Sequence, residues 1–217
     1  MTIQIHGPAM SPNVGRVLIT LFEKGVEDFQ LLNVDLSKGE HKSPEFLKNQ
    51  PFGQVPYIVD GDVVLYESRA IARTIATKYA DQGTPLYGTT LTEKALVEQW
   101  LEVEAQNYSP PNSALVWNTV FAPMFGMTGD EGVVAAQTPK LESVLDVYEK
   151  RLSESKYLAG DFFSLADLAH IPGSFILIKM GQKGALYDSR PHVKAWVDSI
   201  LSRPSTQKWA KLAGFPQ

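Results

Sequence analysis

Apolar positions alternate at Ile3 and Ile5 and then, past Gly7-Pro8, recur at Val14, Val17, Leu18, Leu21 and Phe22. The period changes from two, the repeat of a strand, to 3.6, the repeat of a helix with one apolar face. Ser11-Pro12 supplies the helix start, because serine is favoured at the N-cap and proline at the first helical position. Gly25 supplies its end, and Phe29 to Val34 reads as a second strand. A polar stretch, Ser37 to Lys42, leads into a short helix at Pro44-Glu45-Phe46-Leu47 that ends near Pro51. Val55 to Val59 and Val63 to Tyr66 flank Asp60-Gly61-Asp62, and Asp-Gly between two apolar runs predicts an antiparallel hairpin. From Glu67, the positions Ala70, Ile71, Ile75, Ala76 and Tyr79 return to helical spacing, which stops at Asp81-Gln82-Gly83-Thr84-Pro85.

Beyond Pro85 no strand alternation appears. Leu96, Trp100, Leu101 and Val103 mark a helix over Leu91 to Asn107, followed by a stripe at Leu141, Val144, Leu145, Tyr148 and Leu152 and another at Val193, Trp196, Val197 and Ile200. Between the first two, Asn107 to Pro123 contains Pro110-Pro111 and shows no clear period. Ser164-Leu165-Ala166-Asp167 places a carboxylate three residues after a serine, where each side chain can satisfy the other's helix-end amide. Phe163 and Leu168 stand where a hydrophobic staple would put them, so Asp167 reads as structural. The expected organisation is an α/β domain over 1–81, a linker over 82–90 and an all-α domain over 91–217. Strand, helix, strand, short helix, X-Pro turn, hairpin and helix in that order describe a thioredoxin-like domain with a mixed four-stranded sheet, Val55-Pro56 being the bond that enters the third strand.

Composition narrows what such a chain can do. Its 217 residues are 44% hydrophobic and 20% charged, which is ordinary globular usage. The formal net charge is -4 and the longest basic cluster is Lys150-Arg151, so no cationic face for a phosphate backbone emerges and nucleic acid is not an expected partner. The chain has no cysteine, which excludes disulfides, thiolate metal sites and an enzyme thiol; any thiol chemistry must use a thiol brought by a ligand. His6, His41, His170 and His192 are too scattered for metal-ligand spacing, so no metal is expected. No apolar run of membrane-helix length and no leader-like segment is present, so the expectation is a cytosolic protein that does not enter a membrane.

Five segments carry a resemblance that covers essentially the whole chain. They are Ala9-Met10-Ser11, Glu40-His41-Lys42-Ser43-Pro44-Glu45, Gln50-Pro51-Phe52-Gly53-Gln54-Val55-Pro56, Glu67-Ser68-Arg69-Ala70-Ile71, and Tyr157 through Asp167 with its capping box. In this order they resemble the cytosolic glutathione transferases, and among them the plant phi class. The resemblance implies a homodimer with Phe52 as an inter-subunit contact, and glutathione as co-substrate with no other cofactor. The activity implied is attack of the glutathione thiolate on hydrophobic electrophiles, with reduction of organic hydroperoxides alongside. The alternative in the same family is a non-catalytic carrier of flavonoids or other planar apolar ligands.

By the resemblance Ser11 is catalytic, and chemistry makes sense of the residue type. A free thiol has a pKa of about 8.5, so little thiolate exists near neutrality. A hydroxyl donating to the charged sulfur contributes about 1.5–3 kcal/mol and lowers that pKa by roughly one to two units. Read alone, Ser11 equally serves as the cap of the helix at Pro12, and a hydroxyl can both accept from an amide and donate to sulfur. The resemblance also assigns the glycyl carboxylate to His41 and Lys42, the cysteinyl backbone to Val55 turned outward by Pro56 with Gln54 beside it, and the glutamyl end to Glu67 and Ser68. Read alone, His41-Lys42 is a solvated loop and Glu67-Ser68 an ordinary helix start. The second substrate is expected to meet Met10, Pro12, Leu36, Trp117 and Phe121, although Trp117 and Phe121 at i and i+4 also fit a core.

Overall fold

The computed structural model describes residues 2–216, which fall into two compact units, 2–86 with 204–216 and 87–203. In the first unit, β1 (Ile3–His6) is followed by α1 (Pro12–Glu23), β2 (Phe29–Leu32), a 3₁₀ turn at Glu40–Lys42 and α2 (Pro44–Asn49). The hairpin of β3 (Tyr57–Asp60) and β4 (Val63–Tyr66) and the helix α3 (Ser68–Lys78) complete the βαβ, ββα order. The sheet order is β2-β1-β3-β4, with β1 and β2 parallel and the other two pairs antiparallel. This is the expected mixed four-stranded, thioredoxin-like sheet. Ile3 and Ile5 on one face of β1 meet Val14, Val17, Leu18 and Leu21 of α1 and Ile71 and Ile75 of α3 in a closed core, all at most 1% exposed.

The alternating pattern overestimated two strands. β2 ends at Leu32 rather than Val34, and β3 begins at Tyr57 rather than Val55. Pro56 cannot donate to a ladder, which leaves Val55 outside the pairing. The segment 82–86, the start of the expected linker over 82–90, is tied to the end of α1. The Thr84 amide donates to the Glu23 carbonyl at 2.9 Å, and the Gln82 amide group to the Lys24 carbonyl at 2.7 Å. Lys24 Nζ returns a bond to the Thr84 carbonyl at 2.9 Å.

The last helix, α12 (Pro204–Leu212), groups with this first unit rather than with the helical domain that 91–217 was expected to form. Trp209 is fully buried against α1, where a Cβ added to Gly15 would stand 2.8 Å from the indole. Ser205 donates to Glu23, and Lys208 pairs with Glu27 at 2.6 Å. Contacts that pair 205 with 23 and 209 with 15 show that α12 runs antiparallel along α1. No local pattern in 204–212 could reveal this, because the partners lie about two hundred residues away.

The second unit is helical. It contains α4 (Leu91–Val103), α5 (Ser109–Val116), α6 (Ala122–Met124), α7 (Glu131–Leu152), α8 (Leu165–Leu168), α9 (Ile171–Lys179), α10 (Ala185–Asp188) and α11 (Pro191–Leu201). The stretch from Asn107 to Pro123 that gave no period is helix interrupted by π turns at Glu104–Tyr108 and Trp117–Phe121. Each π turn immediately precedes helix containing proline, at Pro110-Pro111 and at Pro123. A widened turn relieves the need for the amide that proline lacks and shifts the apolar repeat, which is why the 3.6 pattern fails there.

Capping boxes start two of these helices, the one at Ser164 as expected from the sequence and one at Thr90 that the sequence reading did not single out. Thr90 accepts from the Glu93 amide at 3.1 Å, while Glu93 Oε2 accepts from the Thr89 and Thr90 amides at 2.6 and 3.0 Å. Backbone donation from Thr89 and Thr90 holds the Glu93 carboxyl down to about 2. Its folded pKa lies below the ordinary value, so its contribution is present above about pH 4.5 and lost as pH falls toward 2. Glu93→Gln is therefore expected to melt lower than the wild type at pH 7, where the carboxylate contribution is complete, and to approach the wild type as pH falls toward 2, a convergence that melts at pH 7 and near pH 2 would read. The second cap is the box at Ser164 and Asp167, whose reciprocal bonds are both present. Its Asp167 also accepts from the Leu158 amide at 3.0 Å and from Trp196 Nε1 at 2.9 Å, so the carboxylate joins three separate segments.

Candidate active site

Sheet direction alone gathers the first unit's candidate residues. β1, β2 and β4 run one way and β3 the other. The loops after β1 (Ser11), after β2 (Leu36, His41, Lys42), before β3 (Gln54, Val55, Pro56) and after β4 (Glu67, Ser68) therefore leave the same end of the sheet.

Ser11 occupies the N-cap position of α1 with extended backbone, φ -65° and ψ 129°. Its carbonyl accepts from the Gly15 amide at 2.8 Å and its amide donates to the Pro8 carbonyl at 3.0 Å. The hydroxyl, on a side chain that is 9% exposed, makes no capping hydrogen bond. Ser11 thus holds the cap position without the cap bond, which is a departure from the dual use that the sequence left open. Its hydroxyl stands at the positive end of the α1 peptide dipoles.

A buried cation links this helix start to the next. Arg16, 4% exposed, donates from Nη1 to Asn13 Oδ1 at 2.5 Å and to Ser68 Oγ at 3.3 Å. Ser68 opens α3 and is buried, and Glu67 before it has φ 69°, a left-handed conformation that a residue with a Cβ adopts at a cost of about 1–3 kcal/mol. Strain of this kind is retained where surrounding structure demands a particular backbone path. Sequence reading missed Arg16, although a charged residue between Val14 and Val17 on an apolar helix face was the available signal.

The β3 entry lies against the β1–α1 loop. The Val55–Pro56 peptide is cis, and Gly7, with φ 153°, passes so close that an added Cβ would be 3.1 Å from Val55 Cβ and 2.6 Å from Val14 Cγ2. Only glycine permits that approach. Gln54 is exposed, Val55 half-buried and Pro56 buried.

The His41-Lys42 segment is more than a solvated loop. Lys42 Nζ donates to the carbonyls of Phe52 and Gly53 at 3.1 and 2.8 Å, anchoring the turn that leads to Gln54. An ammonium has three N–H groups, so one remains beyond these two bonds. His41 Nδ1 is buried and has no hydrogen-bond partner among the described residues. Upstream, Asp35 Oδ1 accepts from the Ser37 amide at 3.0 Å and the Ser37 hydroxyl at 2.6 Å, and Glu40 accepts from the Asp35 amide at 2.7 Å. Bonds from Ser37 and Lys38 hold the Asp35 carboxyl down to about 2 and fix the loop bearing Leu36.

Met10 and Pro12 flank Ser11 and are partly exposed, and Leu36 is exposed. In the second unit, Trp117 is 46% exposed and Phe121 half-buried, so neither is a core residue there. Their rings stand 6.3 and 6.4 Å from that of exposed Phe125, with Met124 and Met127 also exposed nearby in sequence.

Comparison with known proteins agrees with this frame. Residues 1–77 match the family model of the glutathione S-transferase N-terminal domain, and residues 112–204 that of the C-terminal domain. The chain belongs to the glutathione transferase family, in its plant phi class. It is 51% identical to glutathione S-transferase F10 of Arabidopsis thaliana, each covered over 100% of its length, and 48% identical to a glutathione S-transferase of Hyoscyamus muticus with the same coverage. Among solved structures it matches glutathione transferase F2 of Populus trichocarpa with TM-score 0.94 and 46% identity, covering 98% of this chain and 99% of that one. A maize glutathione S-transferase I in complex with an atrazine glutathione conjugate matches with TM-score 0.87 and 40% identity over 99% of both chains.

Proposed function

We propose that this glutathione transferase uses Ser11 to keep the sulfur of bound glutathione ionised for attack on hydrophobic electrophiles. The observation that carries the reading is the Ser11 hydroxyl, nearly buried at a helix N-terminus and not spent on capping. A donor and a helix dipole aimed at one sulfur favour its anion, and neither has to reorganise as the reaction begins. The thiolate then forms the new carbon–sulfur bond while the electrophile's leaving group departs, and proximity of two bound reactants supplies much of the remaining acceleration. Reduction of organic hydroperoxides by the same thiolate is a secondary activity of this reading.

Glutathione presents two carboxylates, an ammonium and a peptide-like middle. Ser68 and the first amides of α3 suit the glutamyl carboxylate and Glu67 the ammonium. The backbone of Val55 before Pro56 offers an edge for the cysteinyl unit, with Gln54 beside it. The His41 ring and the remaining Lys42 N–H suit the glycyl carboxylate. Met10, Pro12 and Leu36 supply apolar surface beside the sulfur, and methionine adapts to differently shaped partners. In the second unit, the exposed Trp117 and Phe125 and the half-buried Phe121 suit aromatic or other planar ligands. We further propose a cytosolic homodimer.

Turnover of a chloronitroaromatic compound with glutathione tests the reading. Conjugation that saturates with both substrates is expected. Tight binding of a flavonoid with negligible turnover of haloaromatics, isothiocyanates and hydroperoxides would instead make the protein a carrier.

A further inference from the structure

We propose that Trp209, on the last helix of the chain, is a positioning residue for Ser11. The indole is fully buried, and its Nε1 donates to the Ala9 carbonyl at 2.9 Å, two residues before the serine. Gly15 makes the approach possible, because a Cβ there would lie 2.9 Å from Nε1 itself. Phe215 closes over the other side of the ring at 5.4 Å between centroids, in an edge-on arrangement.

The loop from Gly7 to Ser11 is irregular, and few bonds define it. The Gly7 amide is held by the Leu32 carbonyl at 2.9 Å, and the Ser11 amide by Pro8 at 3.0 Å. The Ala9–Met10 peptide lies between them. A peptide unit is planar, so fixing the Ala9 carbonyl also fixes the Met10 N–H and the direction in which the chain enters Ser11. Rotation of that plane would swing the serine hydroxyl, and displacement of a reacting group by about 1 Å costs about 100-fold in rate. The brace reaches the site from the opposite end of the chain, along a helix docked on α1 through Ser205–Glu23 and Lys208–Glu27.

The inference rests on the assignment of Ser11, so the test is a double-mutant cycle in which that assignment is one arm. Trp209→Phe keeps an aromatic ring but removes the donor. It is expected to lower kcat about three- to tenfold, the worth of one ordinary hydrogen bond, with a much smaller change in KM for glutathione. The pH at which the bound thiol ionises should rise in the same variant. In the Ser11→Ala background the Trp209→Phe substitution should cost nothing further, because its effect passes through the hydroxyl that is already gone. Gly15→Ala, which crowds the indole N–H while favouring helix, provides a second displacement of the same contact and should show the same coupling if Trp209→Phe fails to fold. Equal losses with and without Ser11, or unaltered kcat in both brace variants, would overturn the proposal. A Ser11→Ala protein with wild-type kcat would instead overturn the serine assignment.

Discussion

Ser11→Ala is expected to reduce glutathione-conjugating turnover at pH 6.5 by roughly 10- to 100-fold, with the thermal transition of the protein little changed. The first half of this expectation follows from removing one donor to a charged sulfur, about 1.5–3 kcal/mol. The second half follows from the absence of a capping bond at this serine, since a hydroxyl that holds no helix amide contributes little to helix stability. The deficit also has a pH signature. Loss of the donor raises the thiol pKa, so the variant has too little thiolate at low pH and regains it as pH rises past about 8.5. Initial rates of wild type and variant from pH 6 to 9.5 should therefore converge at the alkaline end. A constant ratio across that range would mean that Ser11 acts on something other than thiol ionisation.

Asp167→Ala is expected to cost more stability than any other single change considered for this chain, about 3–5 kcal/mol at low pH. Asp167 is fully buried and accepts four hydrogen bonds, from the Leu158 amide, the Ser164 amide and hydroxyl, and Trp196 Nε1. Truncation leaves several buried donors without an acceptor, each costing about 1–3 kcal/mol. Burial pushes this carboxyl up to about 6 against the pull of those four donors. A carboxyl whose pKa is raised by folding contributes stability that is complete below its unfolded value of about 4 and is lost as pH rises through about 6. The gap between wild type and Asp167→Ala should thus be widest near pH 4 and narrow toward pH 7. Urea midpoints at those two pH values measure the gap, and a gap that widens toward pH 7 would contradict the sign.

Much of the fold was legible because its determinants are local. Alternation around Ile5 and 3.6 spacing from Val14 mark β1 and α1, Asp60-Gly61 marks the hairpin, and Ser164 with Asp167 marks a helix start through its own side-chain chemistry. What escaped reading depends on partners far along the chain or on a broken period. The π turns at Glu104–Tyr108 and Trp117–Phe121 shift the apolar repeat and hid the helix around Pro110-Pro111. The docking of Trp209 on Gly15 is invisible to any window of a few residues.

The candidate site divides in the same way. The five quoted segments pointed to Ser11, His41, Lys42, Val55 and Ser68 through family resemblance, and sheet direction explains why their loops share one end. The left-handed backbone of Glu67 and the two carbonyls held by Lys42 could not be read, because each is set by tertiary packing rather than by residue type, whereas Arg16 left a signal as a charge on an apolar helix face.

Ultraviolet titration of glutathione bound at saturation addresses the central claim most directly, because the chain has no cysteine and any thiolate signal belongs to the ligand. Ionisation one to two units below the free thiol value of about 8.5 is expected in the wild-type protein, with a return toward that value in Ser11→Ala. A bound thiol that titrates in the wild-type protein as it does in buffer would contradict it.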